Sequence, residues 1–181
     1  SVTRTWHTQL AVFWIATAWL ATGLYVAPLI SGHEPRFQRF GVNFLFICLL
    51  IIVVGSFAGE WLGVQQVFTN LSLNFWFGHQ GYEYVDLGRF WQIFLFIGLL
   101  VWLVLMVRAL LPALRNGKNR SLILLLIIAT VAISLLYAAG LTWGEHTHIS
   151  IMEYWRWWVV HHWVEGNFEV FATTIIALLI L

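Results

Sequence analysis

WRWWVVHHWVEGNFEVFATTIIALLIL, residues 155–181, decides the reading of the chain. The run is long enough to cross a bilayer, which takes about 20 apolar helical residues. It nevertheless carries His161, Glu165 and Glu169, one ionisable residue every four. On an α-helix, steps of four drift by only about 40°, so the three side chains share one face. An ionisable group at membrane depth is costly unless it has a partner, an ion or a watery cavity. A histidine and two carboxylates in one stripe therefore point to a buried metal or proton site.

Composition places the rest of the chain in the same setting. Of 181 residues, 61% are hydrophobic and only 9% are charged, against roughly 25% charged in soluble domains. The net charge of +1 gives no footprint for nucleic acid. Twelve tryptophans fit interfacial belts and packing around a flat cofactor. The single cysteine, Cys48, lies in an apolar run and reads as a core or lipid-facing residue. The fold class is all-α transmembrane, with five membrane-spanning helices at about 6–30, 42–64, 90–114, 121–143 and 154–181. Together they form one transmembrane segment without internal repeats.

The connections set an orientation. Residues 31–41 carry Arg36 and Arg39, and RNGKNR (115–120) carries three cations and no acid. The positive-inside rule places these two in the cytoplasm. The amino end, residues 65–88 and residues 144–156 then face outward. The chain opens without a signal peptide or initiator Met, and Leu181 falls inside an apolar run. Both ends read as internal, so the chain is expected to be a piece of a longer catalytic domain.

Several residues could carry chemistry. A His and a carboxylate at i and i+4 can hold one ion from one helix face, and imidazole with carboxylate suits non-haem iron among other divalent metals. The alternative for His161 and Glu165 is an ion pair on a water-lined seam. Glu169, one turn further in, could tune such a site or carry protons. His162, at the edge of the stripe, reads as a packed core histidine, or as one that hydrogen-bonds a group supporting the site or faces another helix. His7 opens the first span and shares a face with Ala11 and Ala18, which leaves room for a flat ring. It is either a haem ligand or an ordinary polar end residue. Glu60 reads as interfacial, and His146 and His148 as solvent-facing. In GHQGYEYVDLG (78–88), Glu83 and Asp86 offer oxygen ligands of the kind that suit calcium. The plainer reading is a solvated loop with Asp86 at a helix start.

YWRWWVVHHWVEGNFEVFAT (154–173) resembles a helix of the respiratory nitric oxide reductases, in the haem-copper oxidase superfamily. The usual form there is WWVVHLWVEG, then two residues and a glutamate. HTQLAVFWIATAWLATGLYVAP (7–28) resembles the helix that supplies one axial ligand of the low-spin haem b. With GEWLGVQQ (59–66), the wording is most similar to the single-chain, quinol-dependent branch. The resemblance covers essentially the whole chain and implies a fragment of a larger haem-copper-oxidase-like bundle.

Carried over by residue, the resemblance implies that His161 and Glu165 bind the non-haem iron FeB. It makes Glu169 the acid that supports proton delivery and metal tuning, and His7 an axial ligand of haem b. It puts Glu83 near a calcium between haem propionates, on a loose loop match. Two departures stand out. His162 replaces the usual Leu or Met, and Asn167 replaces an apolar residue; both add polarity beside the metal face. The implied activity reduces two NO to N₂O and water at a haem b3–iron pair, with electrons from quinol through haem b. The implied setting is a bacterial inner membrane, among lipid and the remaining helices of the enzyme, with a homodimer as an allowed state. Oxidases of the superfamily carry a tyrosine four residues after the corresponding histidine and use copper, so an oxygen-reducing relative is the alternative. A truncated or split non-catalytic subunit is another. The further FeB histidines and the haem b3 ligand do not occur in these residues, so the chain alone should not turn over.

Overall fold

The computed structural model describes residues 2–80, 87–116 and 119–180. Among them the chain is helix and loop, without a strand. Five helices are long and apolar enough to cross a membrane, so this is a membrane protein. α1 spans Val2–Ser31 and α2 spans Gln38–Val64. The short α3, Leu71–Phe77, precedes α4, Arg89–Asn116. α5, Arg120–Leu136, runs into a 3₁₀ turn at Tyr137–Leu141. The last span has three parts: α6 (Ile149–Trp158), a π-helix (Val159–Phe168) and α7 (Glu169–Ile180). In lipid no water serves the backbone, so apolar runs of this length must close their own hydrogen bonds as helices.

α4 lies at the centre and packs on α1, α2, α3 and α5. Its Leu99, Trp102, Met106 and Leu110 share a core with Leu126 and Ile133 of α5 and with Phe171 and Ile175 of α7. Lipid tails are as apolar as leucine, so close packing and interhelical hydrogen bonds must hold such a bundle. Gly23 supplies the first: a Cβ there would stand 2.7 Å from the Phe171 ring. The second come from Trp102 Nε1 to the Leu20 carbonyl (3.1 Å), Ser134 Oγ to the Leu99 carbonyl (3.2 Å) and Gln9 Nε2 to Ser56 Oγ (2.6 Å). Each such bond stabilises a membrane bundle by about 0.6 kcal/mol.

Two features differ from the sequence expectations. The second connection contains α3, whose start is capped by the Asn70 side chain accepting from the Ser72 N–H at 2.8 Å. Glu60, near the end of α2, has its side chain fully buried in protein, which the interfacial reading did not foresee; Gly59 beside it lets the backbone of α3 approach closely. Just beyond α3, burial pushes the half-buried His79 imidazole below the usual histidine range.

The start of α4 is joined to the end of α5 by Arg89, a buried cation absent from the sequence-derived candidates. Its guanidinium donates to the carbonyls of Gly140 (3.3 Å) and Trp143 (2.5 Å), and it lies over the rings of Phe75 and Trp143. The carbonyls that end α5 and its 3₁₀ turn thus gain a positive partner, which the helix dipole favours. Gln80 braces the same corner, donating to the Leu87 carbonyl and to Gln92, and accepting from Trp143 Nε1. Arg89→Met keeps the stem and removes all of the donors. It is expected to destabilise the protein by about 1–3 kcal/mol, read as a lower denaturation midpoint in detergent.

Candidate functional site

The π-helix carries the stripe, and its cause can be read in the side chains. Trp163 and Phe168 are both buried, five residues apart, with ring centroids 5.0 Å from each other. Five α-helical residues would set them about 140° apart. A π-helix, at about 4.4 residues per turn, brings them to roughly 50°. Gly166, a weak helix former by about 1 kcal/mol against Ala, lowers the resistance to this rewinding. Trp163 then anchors the segment: its Nε1 donates to the Ile133 carbonyl of α5 at 2.6 Å, and its ring packs on Tyr137 at 5.2 Å.

The α-helical geometry assumed for the stripe is therefore corrected. In π geometry, four residues fall about 30° short of a full turn instead of overshooting it. His161 and Glu165 still meet: His161 Nδ1 lies 2.7 Å from Glu165 Oε2. Their side chains are 66% and 57% exposed, so the pair faces away from the helices described here. Glu169 opens α7 and is exposed as well. His162 is not a packed core histidine. It is exposed, with its ring 4.9 Å from that of Trp158 and 5.2 Å from that of His161. Asn167 donates through Nδ2 to the His162 carbonyl at 2.5 Å.

His7 stands on an exposed face of α1 that also holds Ala11, Trp14 and Ala18. It belongs to a different helix surface from the pair. His146 and His148 are exposed, and His148 Nδ1 accepts from the Ser150 N–H at the start of α6. Glu83 and Asp86 lie outside the described residues. Among the described residues, no three His, Cys, Asp or Glu side chains gather into one cluster. The structure thus brings two of the sequence-derived ligands together.

The pair suits a metal. The 2.7 Å contact is a hydrogen bond between the two groups, and it leaves both within reach of one ion. Imidazole nitrogen and carboxylate oxygen are donors that iron accepts. The neighbouring Gly166 is open: a Cβ there would meet nothing within 4 Å. On the opposite flank, Val160 and Val164 border a cavity of about 310 Å³ between α1, α2, α4 and the π-helix. Its wall is almost entirely apolar, with Phe13, Leu49, Leu99 and Trp102 prominent.

Four spans packed about a central fifth, with a histidine–carboxylate pair on the last, make an all-helical membrane protein with a candidate metal-binding pair. The family model for cytochrome c and quinol oxidase polypeptide I matches residues 1–181. The chain belongs to that family, the subunit I oxidoreductases of the haem-copper type, which bind haem and a second metal. The comparison with curated proteins gives no match.

Proposed function

We propose that the chain is part of a nitric oxide reductase, contributing two ligands to its non-haem iron centre. The observation that carries this reading is Glu165, in contact with His161 at the position where oxidases of the superfamily have a tyrosine. A carboxylate makes a harder, oxygen-bearing donor set, which favours iron over copper. The net reaction is 2 NO + 2 e⁻ + 2 H⁺ → N₂O + H₂O, with quinol as the electron source through haem b.

His161 and Glu165 would hold the iron, and His7 would hold haem b. When bound, the haem–iron pair supplies NO binding and electron transfer. The residues of this chain supply the surroundings. The hydrogen bond between Glu165 and His161 Nδ1 keeps the two groups side by side, and both would turn their donor atoms to the iron. The Glu169 carboxylate, at the start of α7, would hold and release a proton on the path to the centre. The largely apolar cavity beside Val160 and Val164 would admit a small uncharged gas. A loop acid, Glu83, would serve a calcium between haem propionates. The parent enzyme would lie in a bacterial inner membrane, with the amino end of this chain outward.

The family's oxidase members favour a second reading, reduction of O₂. The purified full-length enzyme, given quinol, decides between them. Anaerobic conversion of NO to N₂O with about one non-haem iron per enzyme is the expected result. Copper in its place, with O₂ uptake and no N₂O, would establish the oxidase.

A further inference from the structure

Asn167 and His162 are separated by five residues, one turn of the π-helix, and they touch. In an i→i+5 ladder, the carbonyl of residue 162 is the acceptor for the backbone N–H of residue 167; in an α-helix it would serve residue 166. The Asn167 side chain donates to that same carbonyl at 2.5 Å. Side chain and main chain of one residue thus converge on one oxygen, and both bonds favour the π register over the α register. We propose that Asn167 is a positioning residue: its amide holds the π turn, and the π turn keeps His161 and Glu165 in register for a shared metal ion.

The geometry supports each link. The buried side of the turn is fixed by Trp163 and Phe168. The other side has no packed anchor of that kind, since His161, His162, Glu165 and Gly166 are all exposed. Asn167 supplies the polar tie there. His161 and Glu165 both lie inside the segment it closes, so a return to α geometry would swing Glu165 relative to His161 by about 70° around the axis, from 30° short of a turn to 40° beyond it. The two side chains would still be neighbours, as i and i+4 residues are on an α-helix, but Glu165 would approach His161 from the other side. An apolar side chain at 167 fills space but offers no donor. The polarity at 167 then has an explanation: its amide supplies the donor that ties the turn.

The register half of this proposal stands on the chain alone; its consequence for iron rests on the function proposed above. The test uses the purified full-length enzyme with Asn167→Leu, which keeps the size and removes the donor, and Asn167→Gln, which keeps the donor. Amide hydrogen exchange across residues 162–168 reads the register. Non-haem iron content and its paramagnetic resonance signal read the metal geometry. Asn167→Leu is expected to speed exchange at least about tenfold and to shift the iron signal, with Asn167→Gln restoring both toward wild type. Unchanged exchange in Asn167→Leu would overturn the tie. Faster exchange with an unshifted iron signal would overturn the positioning role. If the wild-type enzyme holds no such iron, the function proposed above fails while the exchange result still decides the register.

Discussion

Glu165→Ala in the full-length enzyme is expected to abolish NO consumption, by more than about 100-fold, and to lower non-haem iron while leaving the haem b absorption in place. Loss of a supporting partner at a metal site costs about 10–100-fold, and a direct ligand should exceed that. A plain ion pair would behave otherwise. His161 and Glu165 are each more than half exposed, and pairs of that kind contribute about 0.3–0.5 kcal/mol on a helix. Removing one partner would then change little beyond a small shift in stability. The haem b spectrum separates local loss of a ligand from collapse of the bundle, because His7 lies on another helix. Retention of full activity and full iron in Glu165→Ala would sink the assignment.

The fold was legible because lipid leaves few choices. Runs such as residues 42–64 and 90–114 hold almost nothing but apolar side chains, and in a membrane such runs have only the helix to satisfy their backbones. The meeting of His161 with Glu165 was legible for a related reason: a spacing of four brings side chains together in α and π geometry alike, with only the sign of the drift changed. The π register itself was not read. Its trace lay in the buried aromatic pair Trp163 and Phe168, whose spacing of five fits neither strand nor α-helix, and in Asn167, whose amide reaches back five residues to a main-chain carbonyl. Arg89 and the burial of Glu60 depend on which helix ends meet, and charge counting along a connection carries no such information. α3 was missed because seven residues hold too few turns to show a period, although Asn70 and Ser72 form a recognisable start.

Trp163→Ala is expected to act on stability and site together, which distinguishes it from Glu165→Ala. The Trp163 ring is buried between Tyr137 and Phe168, and its indole N–H ties the π-helix to the Ile133 carbonyl of α5. Truncating a buried tryptophan costs about 3–5 kcal/mol through lost contacts and the space left behind. Here that space would open into the existing 310 Å³ cavity, whose wall Trp163 already forms. The aromatic pair whose spacing of five favours the π turn would be gone, so the segment is free to rewind to α geometry. A lower thermal midpoint and reduced non-haem iron should therefore appear in the same variant. Trp163→Phe isolates the two causes: it keeps a ring against Phe168 but loses the bond to Ile133, at about 0.5–1.5 kcal/mol. It should retain most of its iron while melting slightly earlier. Thermal denaturation and iron analysis of the two variants check this ordering. A Trp163→Ala protein that melts with the wild type would show that the π-helix is held by something other than its buried aromatic face.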